Sequence, residues 1–387
     1  MSSQRPIKVV TIMGTRPEMI RLSRVVARLD RTTTHVVVHT GQNYDYELNE
    51  IFFGDLGLRR PDHFLSADTS SLGATLGDIL AKTEGVLKQE QPNAILVLGD
   101  TNSCISAIMA RRMKIPVYHM EAGNRCYDEN VPEEVNRRMV DHVSDYNLVY
   151  TEHARRNLLS EGIHPSRIML TGSPMREVLD HHRAAISSSG ALRRQGFAEG
   201  EYLLVSLHRE ENVDNPARLS SVLRALRVLG AEYGLPLLMS THPRTRKRLE
   251  HQPAELTEKL ILHPPFGFTD YVRLQQSARV VLSDSGTISE ESTMLGFPAV
   301  TLRDSIERPE ALDTGGIVCT SVQTDAIVDA VAIVLDQYAH EGRPTIPAEY
   351  LIPDTSRRVV NFIRSTVHNR RFRDSARAAR RPACDSP

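Results

Sequence analysis

Glu121, Glu133 and Glu134 lie within fourteen residues of one another, between His119-Met-Glu-Ala-Gly123 and Pro132-Glu-Glu134. Carboxylates crowded in this way suit acid/base chemistry on a neutral, weakly acidic substrate. The bland alternative is three surface glutamates, with a helix N-terminus favouring negative charge. Other polar residues follow apolar runs in the same manner. Asp100 stands in Gly99-Asp-Thr101, His208 and Arg209 follow Tyr202–Ser206, and His242-Pro-Arg244 follows Pro236–Ser240. A histidine and an arginine there can stabilise a leaving group or shuttle a proton. Two glycine turns suit phosphate. Gly14-Thr-Arg-Pro-Glu18 offers backbone N–H groups and the Arg16 fork, and Asp284-Ser-Gly286 offers the amides of Ser285 and Gly286. Glu291, further along the second of these, is placed to accept hydrogen bonds from ribose hydroxyls. Ordinary helix capping would account for Asp100 and Ser285 as single residues, and Arg21 reads either as part of the site or as a surface charge.

Positioning these residues takes a parallel sheet. Strands are expected at Lys8–Met13, His35–His39, Ala94–Leu98, Val117–Met120, Leu148–Tyr150 and Ile168–Thr171. Helical stretches such as Glu18–Leu29 and Leu72–Glu90 separate them, the signature of βαβ units. The pattern breaks at about 175–200, around Ser187-Ser-Ser-Gly190, and restarts with Tyr202–Ser206, Pro236–Ser240, Leu260–Leu262, Val280–Ser283 and Ala299–Leu302. The expected fold class is therefore α/β, with two doubly wound Rossmann-like domains facing a cleft. The boundaries are 1–175 for an N-terminal catalytic domain and 176–354 for a C-terminal one. A helix at about 355–368 is expected to pack back on the first domain, and the arginine-rich tail 369–387 reads as disordered. Asp100 and Glu121 both fall just past strand ends, the edge at which open α/β sheets bind ligands. Pro132 starts a helix with Glu133 and Glu134 in its first turn.

The charge balance, 47 basic against 48 acidic residues in 387, demands neither nucleic acid nor an anionic membrane. Cys104, Cys126, Cys319 and Cys384 lack metal-ligand spacing, and no apolar run approaches spanning length. A cytoplasmic protein without a metal is expected. Neither glycine turn is a dinucleotide fingerprint or a Walker loop, so no nicotinamide cofactor or ATP is indicated.

Together with Asn136-Arg137 and Glu307-Arg-Pro-Glu310, these motifs resemble the non-hydrolysing UDP-N-acetylglucosamine 2-epimerases, in order over roughly residues 7–365. The resemblance implies a glycosyltransferase-B fold with UDP held by the second domain, and no cofactor. By motif, Asp100, Glu121, Glu133 and His208 match the catalytic positions. Arg16, Arg21, Arg137, His242, Phe266, Ser285, Gly286, Glu291 and Arg308 are the substrate-binding candidates. Glu121→Gln and Asp100→Asn are expected to lower turnover with folding nearly unchanged. The partners implied are a UDP-N-acetylaminosugar and a second copy of the chain as a homodimer, with no nucleic acid or membrane.

Departures from the family pattern refine the substrate. Thr40-Gly-Gln-Asn-Tyr-Asp45 lacks the basic pair expected around a regulatory UDP-N-acetylglucosamine, and Gly123-Asn-Arg-Cys-Tyr-Asp-Glu-Asn130 replaces the usual Gly-Leu-Arg segment. Gln42–Phe53, Asn124–Glu134 and Pro265–Tyr271 look more like the branch that makes UDP-N-acetyl-L-fucosamine from UDP-2-acetamido-2,6-dideoxy-L-talose for capsule and O-antigen. The alternative is UDP-N-acetylglucosamine giving the manno epimer. A glycosyltransferase on the same fold would have no use for so many carboxylates. A hydrolysing epimerase usually lacks Pro17-Glu18, and a dead binding protein would not keep the four catalytic positions.

Overall fold

The computed structural model describes residues 6–41, 53–129 and 131–368. Packing divides the chain into two compact units, one of Met1–Val178 with Ile352–Pro387 and one of Leu179–Leu351.

The first unit holds seven strands: β1 (Lys8–Met13), β2 (Thr34–His39), β3 (His63–Phe64), β4 (Ala94–Leu98), β5 (Val117–Met120), β6 (Tyr146–Val149) and β7 (Ile168–Leu170). Their order is β3-β2-β1-β4-β5-β6-β7, every pair parallel. Parallel strands covered on both faces are near-continuous apolar runs, and Ala94–Leu98 is buried at all five positions. Val10, Ile12, Val36, Val38, Ile95 and Val97 meet Leu87, Ala107, Ala110 and Val140 from the covering helices.

The second unit holds six: β8 (Leu203–Ser206), β9 (Leu237–Ser240), β10 (Leu260–His263), β11 (Val280–Ser283), β12 (Ala299–Leu302) and β13 (Val318–Thr320). The order is β10-β9-β8-β11-β12-β13, again all parallel. One face packs Val205, Leu282 and Val300 on Leu226 and Val331, and the other packs Leu204 and Val281 on Leu274 and Ile288. Both orders reverse beside the first strand, so the ligand-binding switch points lie between β1 and β4 and between β8 and β11.

The structure differs from the sequence reading in three places. The short strands His63–Phe64 and Val318–Thr320 were not expected, because two or three residues carry no periodicity. Residues 175–188 form a helix, Met175–Ser188, where a break was read. Its buried face of Met175, Val178, Leu179, His182 and Ile186 is diluted in sequence by polar neighbours. The last described helix, Thr355–Thr366, buries Val359, Val360 and Ile363 within the first unit. It is pinned there by Arg28 Nε to Ser356 Oγ at 2.8 Å and by Thr355 Oγ1 to the carbonyls of Thr171 and Ser173 at 3.2 Å.

Candidate active site

In the first unit the glycine turn after β1 leads into the helix Arg16–Thr32, and it differs from the expected phosphate cradle. Glu18 folds back as a capping box. Its Oε2 accepts the N–H of Gly14 at 2.8 Å and that of Thr15 at 2.7 Å, and the Thr15 hydroxyl at 2.9 Å. Its Oε1 takes the hydroxyls of Thr101, at 3.0 Å, and Ser103, both from the loop after β4. Burial pushes the Glu18 pKa up against these hydrogen bonds. The two amides offered to a diphosphate are thus already filled by an internal carboxylate. Arg16 is half-buried beside them.

Asp100 and Glu121 end the neighbouring strands β4 and β5, which pair Leu98 with Met120. Adjacent strands run about 5 Å apart, so the two carboxyl-bearing residues stand side by side at the sheet edge. Glu121 has a left-handed backbone, φ 63°. For a residue with a Cβ this costs of order 1–2 kcal/mol, a strain that clusters at functional sites. Its carboxylate is buried against Arg21, which is only 3% exposed, so Arg21 is an ion-pair partner rather than a surface charge. This also corrects the expectation that Glu121→Gln leaves folding unchanged.

Arg137 bridges two acids. It holds Asp100 Oδ2 through Nη2 at 2.6 Å and Nε at 3.0 Å, and Glu134 Oε2 through Nη1 at 3.1 Å. Asn136 Nδ2 donates to the Asp100 carbonyl at 2.9 Å. Burial opposes the charge on Glu134, but the Cys126 amide, Arg137 and Arg138 outweigh it and hold the pKa below the usual range. Glu133, in the first turn of the helix Pro132–Val143, is half-exposed and has no side-chain partner among the described residues. Glu134 is therefore structural, and Glu133 is the acid left open. Beneath the edge, His119 Nε2 meets the Gly99 carbonyl at 2.8 Å. Its Nδ1 lies 2.9 Å from Asp141, off the line of a hydrogen bond, and Asp141 pairs with Arg125 at 2.7 Å.

At the end of β2, His39 is buried and stacked on Phe64 with ring centroids 5.0 Å apart. Its Nδ1 accepts the Gly41 amide at 3.1 Å, which requires that nitrogen bare. Burial lowers its pKa from 6.5 to about 4. The folded state binds this proton less tightly than the unfolded state, so stability falls as pH drops from 6.5 towards 4, by about 3 kcal/mol in all. His39→Phe is expected to flatten that decline in urea unfolding followed across the window. An unchanged slope would show that His39 is not its source. Residues 42–52, with most of the loop that distinguishes the epimerase branches, lie outside the described residues, as does the tail 369–387.

In the second unit Asp284 sits at the β8–β11 switch point and accepts the N–H groups of His208, at 3.1 Å, and Arg209, at 3.0 Å. Ser285 and Gly286 form a turn before the helix Ile288–Leu295, whose N-cap is Thr287. The Ser285 amide turns to Ser283 Oγ at 3.1 Å, while that of Gly286 has no hydrogen-bond partner among the described residues. A Cβ at Gly286 would meet Glu307 Oε1 at 2.3 Å and Arg308 Nη1 at 2.9 Å, so a larger residue there would displace the ends of these two side chains. Arg308 donates to the Gly286 carbonyl, and Arg303 pairs with Glu307 at 2.6 Å. Arg209 lies 3.6 Å from Glu307 and 3.5 Å from Glu211, and Arg308 lies 3.7 Å from Glu290, so the guanidinium groups beside this turn are matched by carboxylates.

Glu291 Oε2 accepts Gln275 Nε2 at 2.6 Å. Phe266 is buried and stacks on His263 at 3.8 Å. His242 caps the helix Pro243–Leu249 by accepting the Arg244 amide at 3.3 Å. Sequence reasoning gave no role to Glu18, Asp284 or the Arg303–Glu307 pair. The capping-box spacing of Thr15 and Glu18 was a legible signal, and Arg303 and Glu307 stand only four residues apart, whereas Asp284 meets His208 across 76 residues.

A family model described as UDP-N-acetylglucosamine 2-epimerase matches residues 27–364. The chain belongs to that family. Its fold is the α/β class of two parallel Rossmann-like sheets shared with the family's solved structures. A UDP-N-acetylglucosamine 2-epimerase from Rickettsia bellii is 41% identical and superposes with a TM-score of 0.87 over 94% of this chain and 97% of its own. The Methanocaldococcus jannaschii UDP-GlcNAc 2-epimerase, solved in complex with UDP-GlcNAc and UDP, is 33% identical with a TM-score of 0.86, over 93% and 100% of the two chains. A UDP-2,3-diacetamido-2,3-dideoxy-D-glucuronate 2-epimerase of Pseudomonas aeruginosa is 35% identical over 330 residues, 84% of this chain and 91% of that protein. The family is one of isomerases, and this epimerase is an isomerase with it. Among the described residues no helix is long and apolar enough to cross a membrane.

Proposed function

We propose that this epimerase inverts C2 of a UDP-N-acetylaminosugar without hydrolysis. The C2 proton of a hexosamine has no adjacent carbonyl, so direct abstraction is prohibitive. Departure of UDP from C1 creates an oxocarbenium-like centre, and the C2 proton then becomes removable. The resulting 2-acetamido glycal is protonated on its opposite face and UDP returns. Two faces of C2 need proton carriers, and the cationic transition state gains from nearby carboxylates.

The observation that carries this reading is the placement of Asp100 and Glu121 on adjacent strand ends, with Glu121 in a strained backbone. They are the leading acid/base pair, with Glu133 as a third carboxylate and His208 stabilising the leaving group. Arg16, Arg21 and Arg137 are the substrate-side cations of the first unit. Arg21 and Arg137 act by orienting Glu121 and Asp100. In the second unit Gly286, Ser285 and Arg308 hold the diphosphate, Glu291 the ribose, and Phe266 and His242 the remainder of UDP.

The preferred sugar is UDP-2-acetamido-2,6-dideoxy-L-talose, giving UDP-N-acetyl-L-fucosamine for bacterial surface polysaccharide in the cytoplasm. The sequence at Gln42–Phe53, Asn124–Glu134 and Pro265–Tyr271 supports it. The names of the relatives above favour a second reading, UDP-N-acetylglucosamine giving UDP-N-acetylmannosamine. One experiment tests both levels, a panel of UDP-N-acetylhexosamines incubated in deuterated water with products read by mass and NMR. Deuterium at C2 with no net loss of UDP-sugar is expected, with the highest kcat/KM on the 6-deoxy sugar and no need of UDP-N-acetylglucosamine as activator. Retention of the original C2 hydrogen would sink the elimination route. Efficient turnover of UDP-N-acetylglucosamine alone would remove only the substrate choice, since a site that hydrogen-bonds a 6-hydroxyl rejects its deoxy analogue.

A further inference from the structure

His208 and Asp284 meet across the β8–β11 switch point, strands that pair Ser206 with Ser283. The ring Nδ1 of His208 lies 3.0 Å from Asp284 Oδ1, with the carboxylate fully buried and the imidazole 45% exposed. Asp284 is itself held on all sides. It accepts the His208 N–H at 3.1 Å, the Arg209 N–H at 3.0 Å and Asn212 Nδ2 at 3.3 Å. Burial raises the cost of its charge, but His208, the Arg209 amide and Asn212 outweigh that and hold its carboxyl below the usual range. The other charged groups around the pair are Arg209, which donates through Nε to the Asp284 carbonyl at 3.0 Å, with Glu211 and Glu307 as its counter-charges. The half-buried Tyr271 phenol and Glu291 complete the surroundings.

An ionised carboxylate surrounded by donors has only acceptor capacity left for the ring. We propose that Asp284 is a positioning residue that locks His208 in the Nδ1–H tautomer and so commits Nε2 to carrying the proton of the reaction. This rests on the leaving-group role given to His208 above. In the charged ring, the Nε2–H bond breaks as an O–H bond forms on a phosphate oxygen of departing UDP, and a neutral ring with Nδ1–H intact remains. The return of UDP runs the same step backwards. The Nε2–H tautomer would set a bare Nδ1 against the carboxylate oxygens, a repulsion that also leaves no lone pair for recapture. The logic is that of the aspartate that fixes histidine tautomer in serine proteases.

The test is a long-range ¹H–¹⁵N correlation spectrum of the full-length protein with ¹⁵N-histidine, at a pH where the ring is neutral, with His208→Gln assigning the signals. The wild type is expected to show a protonated Nδ1 and a bare Nε2, and Asp284→Asn a shift of the population towards Nε2–H. The same substitution should lower kcat by roughly a hundredfold with KM little changed. A dominant Nε2–H ring in the wild type overturns the proposal, as does an Asp284→Asn protein that is less stable but keeps the tautomer. If that variant fails to fold, the wild-type spectrum alone decides. The spectrum needs no substrate, so failure of the epimerase reading would register separately, as absent turnover beside the expected tautomer.

Discussion

Glu121→Gln is expected to lower turnover by roughly a hundredfold or more, the scale of a lost general acid or base. It should also lower stability, because the buried Arg21 loses its ion pair with this carboxylate. The two effects separate in the double variant Arg21→Met, Glu121→Gln, which removes both charges. Unfolding midpoints should recover most of the way towards wild type while turnover stays low. Asp100→Asn is the companion case. Asp100 is more open to water and its partner Arg137 retains Glu134, so a similar kinetic loss should come with a smaller structural one. Near-normal turnover in either single variant would remove that residue from the acid/base pair. A double variant that regains activity along with stability would show that Glu121 acts only through folding.

Glu18→Ala should be among the most damaging substitutions in the first unit that touches none of the proposed acid/base groups. Its carboxylate satisfies two amides and three hydroxyls from the loops after β1 and β4. Hydroxyls can turn to other acceptors, but the amides of Gly14 and Thr15 are fixed by the backbone. Leaving them unsatisfied costs about 1–3 kcal/mol each, so a loss of about 2–6 kcal/mol is expected. Glu18→Gln keeps one oxygen for the amides and sets its NH₂ towards hydroxyls able to accept, and should lose far less. Equal urea midpoints for Glu18→Ala and the wild type would disprove the clasp. Because Thr101 adjoins Asp100, turnover in Glu18→Ala should fall with kcat more than with KM, as the loop loses its register.

Much of the scaffold was legible in the sequence for a plain reason. Buried parallel strands are short β-branched runs bounded by glycine turns, and β1, β4, β5, β11 and β12 occupy the residues read for them. The parallel α/β rule then places the residues just past each strand at the ligand edge. That rule alone makes Asp100, Glu121, His208 and Ser285 candidates from their positions in the sequence. The strands His63–Phe64 and Val318–Thr320 escaped because they are defined by pairing with a neighbour rather than by their own pattern.

The sequence by itself determined the residues at the strand ends, the motifs and through them the family. Only the tertiary structure decided which charges meet. It set Arg21 on Glu121, Arg137 between Asp100 and Glu134, Asp284 under His208, and Glu18 on the amides of the turn after β1. The partners in the first and third of these pairs lie 100 and 76 residues apart. Local propensity acts over a few residues of chain, whereas an ion pair depends on distance in space and on exclusion of water, and both come into being only when the sheet assembles.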